Sequence, residues 1–257
     1  MEPDLTAIAA RWSLRLGREY HGGQTSTMVR AQSPVHGDVV LKVIRRHHEA
    51  EHEADGLRVW DGEGAVRLHE HEVLDDDHAA LLLERCEPGT SLQTRPEEEQ
   101  DDVVAELLRR LWRPAGAPFR PLAEMCAMWA EAAERREHHP DPAIHRDGLD
   151  LFRSLSVPGD GDVLLCTDLH AGNVVASQRE PWLMIDPKPY VGDPHYDALQ
   201  HMLNCPDRLR AAPLELVNRM ADLLDLDRVR LRLWLFARCV QQSDYPLLRD
   251  VATAVAP

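Results

Sequence analysis

No apolar run in the 257 residues approaches the roughly 18 needed for a helical bilayer span. The start, MEPDLTAIAARWSLRL, lacks the basic stretch and apolar core of a secretory leader. Cysteine is sparse. Cys86, Cys126, Cys166, Cys205 and Cys239 are far apart and form no C-x-x-C pair, which argues against a zinc site or a compact disulfide framework. A soluble protein of a reducing cytoplasm is expected. Positive charge is also short. The chain has 29 Lys and Arg against 44 Asp and Glu, a formal charge of −15. Such a body repels nucleic acid and anionic membranes and attracts a cationic small molecule. Internal repeats and low-complexity linkers are absent.

What is present is enough apolar residue, 44%, to bury one large domain or two small lobes. The first third reads as strands around one helix. VVLKVI (Val39 to Ile44) is an apolar run holding one lysine, and AVRLHEHEVLDDDHAALLLERC reads as two strands joined by the turn Asp75–Asp77. Between them Ala50, Glu53, Ala54, Leu57 and Trp60 share a helical face. After EPGTSLQ the pattern is helical. Thr94 and Glu97 have capping-box spacing ahead of Val103, Val104, Leu107, Leu108 and Leu111. The acids Glu97, Glu98, Glu99, Asp101 and Asp102 add to the field that favours a cationic small molecule, or simply solvate that helix's first turns, which their placement already explains. PLAEMCAMWAEAAERRE reads as another helix, and turn chemistry makes His138 to Gly148 an exposed loop. Pro213–Leu226 and Arg228–Gln242 close the helical half, the first with a stripe of Val217, Met220, Ala221 and Leu224.

VLLCTDLHAGNVVAS (Val163 to Ser177), followed by PWLMIDPKPYVGDPHYD, interrupts that half and places Asp168, His170, Asn173 and Asp186 at the edges of apolar runs. A carboxylate followed five residues later by an amide can hold a substrate hydroxyl at one end and a divalent cation at the other. Asp186 adds a second hard oxygen ligand, which suits Mg²⁺. Lys42, inside its apolar strand, must reach water or find a partner, because an unpaired buried ammonium is costly. Glu53 is the expected partner, with Glu49 the alternative. On its own, Lys42 also fits an edge-strand gatekeeper.

With DLHAGN, the IDPK of Asp186, the GDPHYD of Asp193 and Asp197, and Lys42 ahead of a Glu-bearing helix, the chain resembles the aminoglycoside phosphotransferase family from about Tyr20 to Asn204. IDPKPYVGDP and WDGEGAVRL are most similar to its streptomycin and hydroxyurea kinase branch. The resemblance implies an α+β, two-lobed protein-kinase-like fold. A β-rich nucleotide lobe would occupy residues 1–86, a hinge 84–90, and a helical lobe with the acceptor site 87–257. It implies ATP and Mg²⁺, with Asp168 orienting or deprotonating the acceptor hydroxyl and Asn173 and Asp186 binding the metal. Lys42, braced by Glu53, would meet the phosphates. His170 would either touch the transferring phosphoryl group or be a packed histidine, and Asp197 would brace the catalytic loop. HGGQTSTMVRA is a degenerate glycine loop, with phosphate contacts from Gly23, Gln24, Thr25 and Ser26, and the backbone of Glu84 and Cys86 would meet adenine. The family's usual His-Gly before the aspartate is here Cys166-Thr167, which puts the bracing of the loop in question. The implied acceptor is a small molecule, cationic and streptomycin-like, with hydroxyurea or another small metabolite as the alternative and a monomer or weak homodimer as the assembly. A catalytically inert nucleotide-binding protein is the rival from another class.

Overall fold

The computed structural model describes residues 3–20, 26–136 and 140–257. The chain divides into two compact units: residues 1–90 with Val175–Lys188, and Ser91–Val174 with Pro189–Pro257. The first unit is thus not a single stretch ending at residue 86, because a later segment of chain completes it.

The first unit opens with α1 (Leu5–Arg11), capped by Asp4, whose carboxylate accepts the Thr6 and Ala7 amides. Then come β1 (Arg15–Tyr20), β2 (Ser26–Ser33), β3 (Gly37–Arg45), α2 (Glu53–Trp60), β4 (Leu68–Val73) and β5 (His78–Glu84). The five strands form one sheet in the order β1-β2-β3-β5-β4, antiparallel throughout. Side chains alternate across a strand, so Val39, Leu41 and Val43 of β3 share one face. Leu41 and Val43 pack with Ile8 of α1 and Ala80, and Val39 packs with Ala31 and Leu82. Lys42 falls on the opposite face. Its strand lies between β2 and β5, with Met28 and Leu81 as register partners, so Lys42 is no edge-strand gatekeeper. As expected, Ala50, Glu53, Ala54, Leu57 and Trp60 are all buried.

The second unit is mostly helical: α3 (Glu97–Leu111), α4 (Leu122–Glu134) and α5 (Pro142–Leu155), then the short β6 (Val163–Leu165). The division between units falls within β7 (Val174–Ala176), which pairs with β8 (Trp182–Met184). Arg179 between them fastens the returning segment inside the first unit: it donates to both carboxylate oxygens of Glu84 and to the Gly62 and Ala65 carbonyls. The second unit resumes at β9 (Tyr190–Gly192), antiparallel to β6. It finishes with α6 (Pro194–Leu203), α7 (Pro206–Ala211), α8 (Pro213–Leu224), α9 (Arg228–Gln241) and α10 (Pro246–Val255). Trp234 of α9 centres its core, edge-on to Phe152 and Tyr196.

Three sequence expectations need correction. The capping box fails: α3 starts after Pro96, and Thr94 ends a separate turn, its hydroxyl donating to the Ser91 carbonyl. Of the expected loop from His138 to Gly148, His138 and His139 lie outside the described residues. From Pro142 onward it is helix, because Asp141 caps the Ala143 and Ile144 amides and Pro142 fits the first turn. Finally, Asp101 does not solvate α3. It is 0% exposed and accepts hydrogen bonds from His201, Arg208 and Arg219. His201 and Cys205 lie close enough to Asp101 to suggest a metal cluster, but the two guanidiniums already supply the positive charge its carboxylate needs.

Gly148 of α5 packs so closely on α9 that an added Cβ would sit 2.5 Å from the Val240 side chain. Gly148→Ala should therefore destabilise the protein by about 1–3 kcal/mol, read as a lowered urea midpoint with an unchanged slope.

Candidate active site

The expected site residues gather into one charged constellation in each unit. In the first, the Lys42 ammonium is 2.7 Å from Glu53 Oε1 and 2.6 Å from Asp186 Oδ1. Lys42 and Glu53 are 4% and 1% exposed, whereas the Asp186 side chain is about half accessible. Glu53 is the partner the apolar helical face predicts, and Lys42 does not pair with Glu49. Burial pulls the Lys42 ammonium down, but attraction to Glu53 and Asp186 outweighs it and the net shift is upward. Burial pushes Glu53 up against the pull of Lys42, and Asp186, although partly desolvated, is held below its ordinary range by Lys42. The charge of Lys188 also acts on both carboxylates and lowers them, and Glu53 Oε2 is buried without a partner among the described residues. Asp186 sits at φ 55°, a left-handed conformation that aspartate tolerates better than most residues.

In the second unit, Asp168 follows a braced turn. The buried Asp197 carboxylate accepts the Cys166 amide at 2.9 Å, the Thr167 amide at 2.7 Å and the Trp112 indole N–H at 3.0 Å. Thr167 is at φ 48°, costly for a β-branched residue, so these bonds hold a conformation the chain would otherwise leave. The bracing runs through backbone N–H groups, which every residue but proline has. Replacing His-Gly by Cys166-Thr167 therefore leaves it intact, and burial raises the Cys166 thiol well above its ordinary value, keeping it inert.

The side chains beyond the turn are also fixed. Asn173 Nδ2 donates to the Asp168 carbonyl at 2.9 Å, which turns the amide oxygen, a hard ligand, the other way. Asp168 Oδ1 accepts from Gln200 Nε2 of α6 at 2.9 Å, and Oδ2 accepts more weakly from Asn173 Nδ2 at 3.4 Å. His170 Nδ1 accepts the Gly172 amide at 3.1 Å, which places the ring proton of the neutral form on Nε2. A side chain on Gly172 would collide with that ring, its Cβ falling 2.7 Å from His170 Cε1. His170 thus caps the turn from Ala171 to Asn173, a structural task within the two readings open to it.

Of the nucleotide-loop residues, Gly23, Gln24 and Thr25 lie outside the described residues, and Ser26 opens β2 opposite Ile44. The Glu84 amide is spent on the Arg67 carbonyl, so only its carbonyl could serve an adenine. The Cys86 thiol is pushed to about 11, by burial first and by Glu84 second. Sequence reading missed Gln200, Trp112 and Arg179. Only Gln200 left a trace, lying one helical turn after Asp197.

Asp197 is raised to about 6 by burial, against the pull of its N–H donors. Because this folded value lies above the ordinary 3.8, the group's contribution to stability is full below about pH 4 and is lost as pH rises through 6. Its bracing role runs the other way, since protonation removes acceptor capacity. A turnover limb near pH 6 is expected, and Asp197→Asn should abolish that limb while lowering stability by about 1–3 kcal/mol through its clashing amide donors. A pH–rate profile beside a thermal melt checks both.

The family described as aminoglycoside/hydroxyurea antibiotic resistance kinase matches residues 11–245. Over 259 residues, 96% of this chain and 83% of the other, the sequence is 34% identical to a streptomycin 6-kinase of Streptomyces griseus. It is 35% identical over 242 residues to a hydroxyurea phosphotransferase of Kitasatospora aureofaciens, covering 90% and 68% of the two chains. A crystal structure of an aminoglycoside phosphotransferase mutant with ADP and hygromycin B superposes with a TM-score of 0.60 at 13% identity, covering 97% of this chain and 96% of that one. The sheet-plus-helix architecture expected of a protein-kinase-like chain is thus the one found, and this chain belongs to the aminoglycoside/hydroxyurea antibiotic resistance kinase family.

Proposed function

We propose that the protein transfers the γ-phosphoryl group of ATP to a hydroxyl of a small-molecule antibiotic, a streptomycin-like aminoglycoside, and so confers resistance. The observation that carries this reading is the set of chemical groups around Asp168: a carboxylate held at one oxygen by Gln200, followed by an amide whose nitrogen is engaged and whose oxygen is turned away. In this reading the unit of residues 1–90 with Val175–Lys188 serves the nucleotide and the unit of Ser91–Val174 with Pro189–Pro257 serves the acceptor. Adenine meets the Glu84 carbonyl and the Cys86 backbone, and the glycine loop with Ser26 covers the phosphates.

The residues present fit a magnesium ion. Asn173 Oδ1 and the half-accessible Asp186 carboxylate, held ionised by Lys42, are hard oxygen donors of the kind such an ion takes. When bound, the ion supplies charge neutralisation on the phosphates. Lys42, kept protonated by its two carboxylates, holds phosphate oxygens. Asp168 orients the acceptor hydroxyl. As that oxygen bonds to the γ-phosphorus and the bond to the β-phosphate oxygen breaks, Asp168 takes the hydroxyl proton and ADP leaves. His170 keeps the Asp168 loop in shape.

Hydroxyurea is the second reading, favoured by a comparable identity, over a shorter match, to a hydroxyurea phosphotransferase. Phosphate transfer from ATP to streptomycin and to hydroxyurea, with Mg²⁺ present and then chelated, is the deciding assay. Transfer to hydroxyurea alone would overturn the leading acceptor. Transfer to neither, with ATP still bound, would favour an inert nucleotide binder. With streptomycin, KM should rise with salt, because a Debye length of about 10 Å at 0.1 M shrinks to about 3 Å at 1 M.

Asp168→Ala should lower kcat by about 10²- to 10⁴-fold and leave Mg·ATP binding nearly unchanged, whereas Asp186→Ala should weaken both; calorimetry beside turnover separates them. Lys42→Ala and Glu53→Ala should be non-additive in a double-mutant cycle of kcat/KM for ATP, with the double variant little worse than Lys42→Ala.

A further inference from the structure

Within the second unit a cavity of about 360 Å³ is lined by Gln200, Asn204, Arg238, Gln242 and Tyr245 with three leucines. One of these residues does two things. Gln200 lines the cavity and donates from Nε2 to Asp168 Oδ1 at 2.9 Å. The wall of the cavity and the carboxylate that would meet the acceptor are therefore joined by a single side chain. The rest of the lining is suited to hydrogen bonding. Gln242 follows α9, is half-buried, and its side chain has no hydrogen-bond partner among the described residues. Asn204 ends α6 and is tied back to the Gln200 carbonyl, and Tyr245 is exposed. The lining includes no carboxylate. Its one cation, Arg238, is 5% exposed and spent on Gln241 and the Trp129 ring.

We propose that Gln200 is a positioning residue for phosphoryl transfer, holding Oδ1 of Asp168 at 2.9 Å so that Oδ2, which has only a long 3.4 Å contact from Asn173 Nδ2 among the hydrogen bonds described above, is presented to the acceptor hydroxyl, and that the cavity it walls seats the acceptor. The chemistry of that seat suits a hydroxyl-rich ring, held by amide groups and a phenol through hydrogen bonds instead of ion pairs. A carboxylate held by the 3.4 Å Asn173 contact without the shorter Gln200 bond would offer its proton-accepting oxygen less of the time. The fixed one is set before the acceptor arrives, which lowers the barrier without strengthening nucleotide binding. This rests on the proposed reaction and adds to it how the acceptor and its base are aligned.

The test starts from the full chain with streptomycin and ATP as the probe pair, since transfer by the wild type establishes the reaction before any variant is read. Gln200→Met keeps the length of the side chain but cannot donate. It should lower kcat by roughly 10- to 100-fold, the usual worth of a hydrogen bond to a charged group, with the ATP KM and the thermal midpoint unchanged. Gln242→Trp fills the cavity from a partly exposed position, and it should raise the streptomycin KM at least tenfold while leaving the ATP KM unchanged. If Gln200→Met keeps kcat within about threefold, or loses it together with thermal stability and ATP affinity, the positioning role is overturned. If Gln242→Trp leaves the streptomycin KM unchanged, the seat is overturned, and the reaction itself still stands because the wild type supports it.

Discussion

An ammonium buried in the middle of a sheet is the constraint on which the first unit depends. Lys42 lies on the central strand β3, where it cannot reach water, and a lone charge there would cost several kcal/mol. Glu53 and Asp186 make it tolerable, one lying just after Lys42 in the sequence and the other far beyond it. The position of α2, the return of the chain as Val175–Lys188 and the Arg179 clasp that fastens it all serve to bring those two carboxylates to one nitrogen. Such a pair is weak evidence for stability, since two apolar side chains would pack as well. Its value is a charge held in place.

The second unit sorts its carboxylates by surroundings. Asp193 and Asp197 are four residues apart, at and just after the start of α6. Asp193, partly desolvated but bonded to His195, Trp234 and Arg230, is held down to about 2. Asp197, fully buried with only N–H donors, is raised to about 6. One fixes the helix start against α9, and the other fixes the turn before Asp168. Asp101, on α3, is likewise held low by His201 and the two arginines against the cost of its burial. Negative charge inside this unit is thus mostly structural.

Much of this is legible in the sequence where it is written in local spacing. The helix carrying Glu53 could be read because its apolar neighbours recur at helical intervals, and the strands β4 and β5 because an acidic turn separates a mixed run, LHEHEV, from an apolar one. Asp101 was readable in principle: it lies three residues before Val104 and seven before Leu108, on the buried stripe of α3, but a run of neighbouring acids disguised it. The start of α5 was misread because Asp-Pro serves turns and helix caps alike. The contacts of Gln200, Arg179 and Trp112 could not be read at all. Each joins residues dozens of positions apart, through side chains whose types recur throughout the chain. The bracing by Asp197 was foreseeable only by resemblance, and its indifference to Cys166-Thr167 became plain once the acceptors were seen to be served by backbone amides.

The interrupted course of the first unit bears on how the chain is made. Because Val175–Lys188 belongs with residues 1–90, the sheet leaves the ribosome long before Arg179 and Asp186 do. Until then Lys42 has Glu53 alone, and the Glu84 end of β5 lacks its clasp. Domains tend to fold as units during synthesis, the first-made portion first. Here the amino-terminal portion must wait, partly assembled, while the α3–α5 region is translated, and it is completed only when a segment from the far side of that region comes back to it.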